Sequence, residues 1–223
     1  MANIPKLPRI FPGSIPFKNV GEQSIPPFAV MVCTGSDVDG AIIYLLMEQP
    51  DDEFDRIYYV NGPTLIAKGD YGVCSEGHYA YILFDHDDDG EAEYGDEWGV
   101  EPSSFKLRKN YYGFRCLGGA AQKDENVFGD DSWIAIFDPY PINEVMGQLT
   151  DDLSYHGAAG VNLYAGQPYD LGGEDETDTG MTITAYDRLL STGNKIPSGS
   201  WVICRWLHGY WYVVEAGACP VAS

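Results

Sequence analysis

Apolar and polar residues alternate over short stretches along most of this chain, which is the pattern of half-buried β-strands. From residue 17 to about residue 120, Gly, Pro, Asn and Asp separate these stretches at short intervals, and such residues favour turns. One stretch, AIIYLLMEQP, could form a helical turn, but its β-branched residues and its final proline favour a strand. The predicted strands are FAVMVCT, AIIYLLM, IYYVN, LIAKG, GHYAYILF, FKLRK and YGFRCLG.

A polar stretch at residues 121–131, AQKDENVFGDD, separates these strands from a second series. HGYW, near the end of that series, predicts a hairpin with Gly209 at a position that needs a positive φ. Helix signals are nearly absent, and no large-scale repeat is visible. We therefore predict an all-β fold of two consecutive small β-sandwich or β-barrel modules, at residues 17–122 and 123–223. The second series is SWIAIFDP, EVMGQLTD, AGVNLYA, MTITAYD, SWVICRWLHG and YWYVVEAG.

Residues 1–16 carry prolines at a spacing that excludes a helix and favours an extended, polyproline-like arm. Large apolar residues alternate with these prolines, and an apolar extended arm needs a groove that covers it. That groove lies either on its own domain or on a neighbouring chain, because termini are ordered only when something holds them. For the second alternative, the predicted partner-binding residues are Ile4, Leu7, Ile10, Phe11, Ile15 and Phe17.

The charge of the chain restricts its partners. It has 34 Asp and Glu against 13 Lys and Arg, which gives a formal net charge of -21. Such a surface repels nucleic acid and anionic membranes, because both are polyanions, whereas it favours solubility and suits a basic partner. No apolar run is long enough to cross a membrane, and the N-terminus lacks the apolar segment of a secretory leader. We predict binding to neither nucleic acid nor membrane.

The five cysteines are widely spaced and include no C-x-x-C pair. An odd count at such spacing argues against a disulfide framework and against a zinc site. Most of them lie inside predicted strands, where a free cysteine acts as a small apolar residue. A reducing compartment is the prediction.

The stretch FDHDDDGEAEYGDEWG, residues 84–99, carries eight carboxylates in sixteen residues. Its DHDDDG core matches ligand positions 1, 3 and 5 and the turn glycine of a calcium loop. Position 12 is Asp where such loops carry a bidentate Glu, and strands rather than helices flank the stretch. A calcium site is one hypothesis, and a solvated acidic β–β connection is the other; no other cofactor is indicated. The candidate calcium ligands are Asp85, Asp87, Asp89 and Asp96.

The sequence contains no G-x-S-x-G elbow, H-E-x-x-H, P-loop or G-x-G-x-x-G motif. Its four histidines do not single out a nucleophile–base pair, so we predict that the protein is not an enzyme. A hydrolase on a β-scaffold is the alternative.

A cluster of aromatic residues near the C-terminus has two interpretations. The rings could pack in the core, since strand alternation buries about half of such residues, or they could form a surface that stacks on sugars or contacts a protein. The cluster consists of Trp201, Trp206, Tyr210, Trp211 and Tyr212.

Several strings, taken in order, resemble uncharacterised bacteriophage structural proteins. In those proteins a variable loop precedes a segment like WGVEPSSFKLRK. A second β-module then carries a string like TDTGMTITAYD and ends in a hairpin like SWVICRWLHGYWYVVEAG. The resemblance covers most of the chain, and its motifs are structural.

The resemblance implies a virion component that is made in the cytoplasm of the bacterial host. Among virion components we favour a capsid decoration, or cement, protein, because an extended arm and small β-modules suit binding across neighbouring capsid subunits. The predicted partners are the major capsid protein and neighbouring copies of this chain, as a homo-oligomer on the particle. A tail or neck accessory protein, or the carbohydrate-binding module of a receptor-binding fibre, is the alternative.

Overall fold

The structure, a computed structural model, describes residues 14–40, 42–52, 54, 57–76, 80–122, 133–139, 143–165, 177–217 and 221–222. Within these ranges it contains eighteen strands and one short helix, which confirms the all-β prediction. No helix of the described ranges has the length and apolar character that crossing a bilayer would require.

The first five strands form a closed barrel. They are β1 (Ser14–Asn19), β2 (Val30–Asp39), β3 (Ile42–Glu48), β4 (Tyr59–Asn61) and β5 (Tyr71–Glu76). Their order around the barrel is β1-β3-β2-β4-β5. β1 is parallel to β3 and antiparallel to β5, so both of its edges are hydrogen-bonded. The predicted arm therefore overlaps this barrel, because β1 begins at Ser14.

A second closed barrel of five strands follows. Its elements are β6 (Ala80–Phe84), the helix α1 (His86–Asp89), β7 (Glu97–Val100), β8 (Leu107–Lys109), β9 (Gly113–Gln122) and β10 (Trp133–Pro139). The order is β10-β6-β8-β7-β9, with β6 parallel to β8.

The third closed barrel has the order β11-β13-β14-β17-β16, and a small sheet with the order β12-β15-β18 accompanies it. The barrel strands are β11 (Glu144–Leu149), β13 (Ala158–Ala165), β14 (Thr177–Tyr186), β16 (Trp201–Leu207) and β17 (Tyr210–Ala216). The small sheet contains β12 (Leu153–Ser154), β15 (Asn194–Ile196) and β18 (Val221–Ala222).

The three barrels have the same cyclic order of strand pairing. In the first and second barrels, the first strand is parallel to the third and antiparallel to the fifth, and the second pairs with the third and fourth. The third barrel has the same order when its strands are counted as β14, β16, β17, β11 and β13. The first of these, β14, is then parallel to the third, β17. The repeat is therefore one of topology, and in the third barrel it is circularly permuted.

The sheet boundaries differ from the predicted modules. β10 follows the polar stretch at residues 121–131, yet it pairs with β6 and β9 and closes the second barrel. The polar stretch therefore connects two neighbouring strands of one barrel, and the chain passes to the third barrel between Pro139 and Glu144. Its Gly and charged residues fit a strand connection as well as they fit a linker.

Apolar side chains join the barrels to one another. Alternation along β2 points Met31 into the first barrel, whereas Val30 and Val32 pack into the large cluster that fills the second and third barrels. Leu83 of β6 makes the reverse contact, because it packs with the interior of the first barrel. Each of the two apolar clusters therefore crosses a barrel boundary.

Phe54, in the connection between β3 and β4, lies where all three barrels meet. Its ring centroid is 6.3 Å from that of Tyr58, 6.3 Å from that of Tyr112 and 6.2 Å from that of Trp211, one ring from each barrel. The backbone adds two hydrogen bonds: Phe54 N–H donates to Thr182 O (3.1 Å), and Thr182 N–H donates to Asp52 O (2.8 Å). This segment thus extends the edge of β14 and fixes the first barrel against the third.

Candidate binding cleft

A cleft of about 540 Å³ opens between the first and third barrels. Its two walls come from segments that are far apart in the sequence, so it exists only because the barrels pack as described. The lining residues are Cys33, Phe54, Ile57, Tyr59, Thr182, Ile183, Thr184, Tyr186, Trp206, Gly209, Tyr210 and Trp211.

The β16–β17 hairpin builds one wall of the cleft. The hairpin turns at His208 and Gly209, whose φ angles are 53° and 92°, and this confirms the predicted turn with Gly209 at a positive φ. Trp206 and Trp211 face each other across the two strands, with ring centroids 5.3 Å apart. The tight turn places Tyr210 at the mouth of the cleft.

The neighbouring strand β14 completes that wall. Its residues alternate, so that Thr182, Thr184 and Tyr186 lie on the cleft side while Ala185 is fully buried. Tyr186 packs edge-on against Tyr210, with ring centroids 5.4 Å apart and planes at 79°. Two aromatic rings therefore support each other at the rim.

The floor of the cleft is buried and the rim is open. Phe54 and Trp211 are buried at the floor, where they contact each other, whereas Tyr210 is 53% exposed and Tyr186 37% exposed. Ile57, on the wall from the first barrel, is also exposed. The cleft thus has a buried apolar base below solvent-exposed aromatic and hydroxyl groups.

The structure separates the two interpretations of the C-terminal aromatic cluster residue by residue. Trp211 is a core residue at the barrel junction, Tyr210 is a surface residue, and Trp201, Trp206 and Tyr212 are half-buried. The residues that the first barrel contributes were not predicted from the sequence. The alternation of Thr182, Thr184 and Tyr186 with apolar residues was the one local signal for this wall.

The acidic stretch does not gather its carboxylates around a common point. Asp85 accepts a hydrogen bond from Asp88 N–H (3.4 Å) as the N-cap of α1, and its carboxylate lies 3.7 Å from Lys106 Nζ. Asp87 is nearly fully exposed and lies 3.8 Å from His86. These two candidate calcium ligands therefore have separate surroundings.

The other two candidates are paired with cations on or beside β8. Asp89 accepts from Arg108 Nε (2.7 Å) and from Lys109 N–H (3.0 Å), and Arg108 also bonds to Glu101 (3.0 Å). Asp96 lies 2.8 Å from Lys109 Nζ. No three of the His, Cys, Asp and Glu side chains in the described ranges form a metal-binding group. Lys and Arg side chains thus pair individually with three of the four candidate carboxylates, and calcium binding stays a prediction.

Two of the six predicted partner-binding residues belong to the first barrel itself. Phe17 is completely buried inside it, and Ile15 packs against the same cluster. The complete burial of Phe17 leaves it no surface for a partner, which corrects the prediction for that residue, whereas for the half-buried Ile15 partner contact stays a prediction. Ile4, Leu7, Ile10 and Phe11 lie outside the described residues.

The cysteines agree with the prediction for those that the structure describes. Cys74, Cys116 and Cys204 are buried, Cys33 is half-buried beside the cleft, and no disulfide joins any two of these four described residues. Burial raises the pKa of Cys204 to about 12, which keeps that thiol protonated and unreactive.

No protein-family model matches this chain, and neither the curated proteins nor the solved structures include one that is similar to it.

Proposed function

We propose that this chain is a bacteriophage virion structural protein, a capsid decoration protein that binds and stabilises neighbouring capsid subunits. It acts by binding and not by catalysis, on particles assembled in the bacterial host cytoplasm. The observation that carries the proposal is the body of three barrels joined by apolar clusters that cross their boundaries, from which β1 leads directly to the apolar N-terminal segment. Its partners are the major capsid protein and neighbouring copies of the chain.

The anchoring of β1 suits an arm that binds a neighbouring subunit. β1 is hydrogen-bonded on both edges, and its Phe17 fills the barrel interior. Residues 1–13 therefore continue from a strand that cannot shift easily. Contacts made by Ile4, Leu7, Ile10 and Phe11 would hold the whole body in place, since fully burying one large apolar side chain contributes roughly 1.5–3 kcal/mol.

The β2–β3 hairpin offers a second apolar contact on the same barrel. Val38 and Ile43 face each other across the hairpin and are 60% and 68% exposed. Two adjacent exposed aliphatic side chains at the end of a hairpin form a small patch that a partner can cover. The acidic residues Asp37 and Asp39 beside them favour a partner with basic groups at its rim.

The arm is tested by removing residues 1–13 only, because a cut inside β1 would damage the barrel. We expect the truncated protein to fold with an unchanged melting temperature and to occupy particles less than the full chain does, measured by quantitative gel analysis of purified particles. The double variant Val38→Ser, Ile43→Ser is the matched test of the hairpin. Full occupancy after truncation, with the same dissociation rate, would contradict a role for the arm.

A carbohydrate-binding module of a receptor-binding fibre is the second candidate function, and the aromatic cleft favours it. Fibre-borne modules are found at the tail, whereas decoration proteins are found over the shell. The position of the protein on the particle therefore separates the two candidates.

A further inference from the structure

We propose that the cleft between the first and third barrels is a binding site for a neutral oligosaccharide. This inference rests on the cleft alone and is independent of where the protein sits on a particle. A decoration protein with such a site would hold particles at glycan-coated surfaces.

The size and rigidity of the cleft suit a small ligand. Its volume of about 540 Å³ falls within the range of roughly 300–1,000 Å³ that small-molecule pockets occupy. The floor is fixed, because Phe54 and Trp211 are buried and contact each other at the junction of the barrels. Binding therefore costs little ordering of the protein.

The rim supplies aromatic surfaces for the apolar faces of sugar rings. A pyranose ring exposes a patch of C–H groups on at least one face, and this patch packs on an aromatic ring. Tyr210 is 53% exposed while Tyr186 braces it edge-on at 5.4 Å, so that its ring is presented to solvent in a supported orientation. Tyrosine provides such contact area with few rotatable bonds and carries a hydroxyl.

Hydroxyl groups line the same space. Thr184 is exposed, and Thr182 bonds only weakly to Asp52 O, at 3.5 Å, so its oxygen retains acceptor capacity. Each hydroxyl both donates and accepts, as do the hydroxyls of a sugar. The mixture of hydroxyl and aromatic groups distinguishes this cleft from an apolar groove.

The charge of the lining selects against ionic ligands. None of the twelve described residues that line the cleft is charged, although the chain carries a net charge of -21. An anion would be repelled by the surrounding protein, and a cation would meet no carboxylate among these twelve described residues. A neutral ligand with many hydroxyls fits both conditions.

Strand pairing also argues against an extended peptide in this place. A peptide that adds to a sheet needs a free strand edge. The edge of β14 at the cleft is taken by β17 at Ala185 and Tyr186 and by the Asp52–Phe54 segment at Thr182. The ligand must therefore bind through side chains, as a sugar does.

The test is isothermal calorimetry and array binding of the full chain with a panel of neutral oligosaccharides of glucose, galactose, mannose and N-acetylglucosamine. We expect at least one of them to bind, and Tyr210→Ala to weaken that binding by about tenfold or more. Thr184→Val, which keeps the shape and removes one hydroxyl, should weaken it by a smaller factor. Tyr94→Ala is the matched control, because Tyr94 is 82% exposed on the second barrel, away from the cleft lining.

The outcomes separate clearly. Melting temperatures equal to that of the unmodified protein show that each variant is folded, and Tyr210 is exposed enough for its loss to be tolerated. The proposal is overturned if none of the oligosaccharides binds at millimolar concentration. It is equally overturned if binding persists undiminished in both Tyr210→Ala and Thr184→Val, or if only apolar peptides bind.

Discussion

At some glycines of these barrels, the missing Cβ atom is what allows a neighbouring segment to approach closely. At Gly99 on β7, a Cβ atom would lie 2.2 Å from both the backbone N and the backbone O of Tyr112. Gly35 on β2 offers a contrast, because its nearest neighbour would be Leu46 Cδ1 at 3.7 Å. Backbone cannot move aside as a flexible side chain can, so only the first glycine is required for packing.

Gly99→Ala should therefore destabilise the protein by about 3 kcal/mol, the upper part of the range for overpacked sites. Gly35→Ala, the matched control, should change the free energy of unfolding by less than about 1 kcal/mol. Urea unfolding followed by tryptophan fluorescence measures both. Equal stability of the two variants would show that the second barrel is less tightly closed than described.

Because the thiol of Cys204 is buried, the protein should lose stability as the pH becomes alkaline. Burial raises its pKa to about 12 in the folded protein, whereas cysteine in an unfolded chain titrates near about 8.5. The folded state therefore keeps a proton that the unfolded state loses between these values. The stability is complete below about pH 8.5 and falls as the pH rises towards the folded pKa, by about 1.4 kcal/mol per pH unit.

The interval from about pH 8.5 to about pH 10 isolates this effect, because unfolded tyrosine titrates only near about 10 and Tyr112 contributes above that value. Over that interval Cys204→Ala should reduce the slope of the unfolding free energy against pH. The difference in unfolding free energy between the variant and the unmodified protein at neutral pH is subtracted first. Cys116, whose pKa burial also raises, contributes to the slope that remains in this variant. Identical slopes for Cys204→Ala and the unmodified protein would contradict the assignment.

The sequence predicts the individual strands well, but it does not predict which strands pair to close each barrel. The alternation in β2, β14, β16 and β17 is visible in the sequence, and so is the hairpin at His208 and Gly209. The burial of Phe17 was missed because prolines before it suggested an arm that continues to residue 16. Which strand closes a barrel depends on parallel pairings between distant segments, such as β1 with β3, and these leave no local pattern.

The cleft was unpredictable for the same reason. Phe54 lies in a connection between strands, and nothing in its neighbourhood indicates that its ring meets Tyr58, Tyr112 and Trp211. The acidic stretch is the opposite case, in which the sequence shows a local motif but not the cations that the fold places beside it. Its spacing resembles a calcium loop, but the positions of Arg108 and Lys109 on the adjacent strand decide where the carboxylates bind.

The connection that carries α1 is held to β8 by Arg108. Removing this side chain in Arg108→Ala leaves the half-buried carboxylates of Asp89 and Glu101 without that cation. We expect a loss of about 1–2 kcal/mol in the free energy of unfolding, because these hydrogen bonds are charge-assisted but partly exposed to solvent. Arg205→Ala is the control: its pair with Glu144 is more exposed and should contribute less than about 1 kcal/mol. A smaller loss for Arg108→Ala than for Arg205→Ala would contradict this account of the loop.

At the scale of the whole molecule, the apolar clusters that cross the barrel boundaries predict that the three barrels unfold together. Phe54→Ala removes the ring that contacts all three barrels, and we expect it to cost about 3–5 kcal/mol, the range for large buried aromatic residues. In the unmodified protein, tryptophan fluorescence and far-UV circular dichroism should give coincident transitions. In Phe54→Ala they should separate, whereas Tyr94→Ala should leave them coincident. Two separate transitions in the unmodified protein would show that the barrels are independent.

The central claim is that this body of barrels decorates a virion shell. The most direct measurement compares cryo-electron microscopy reconstructions of particles assembled with and without the protein. Loss of density at symmetry-related positions over the whole shell, each large enough for three barrels, is the predicted result. Reconstructions that are identical over the shell, or that differ only at a single vertex, would contradict it.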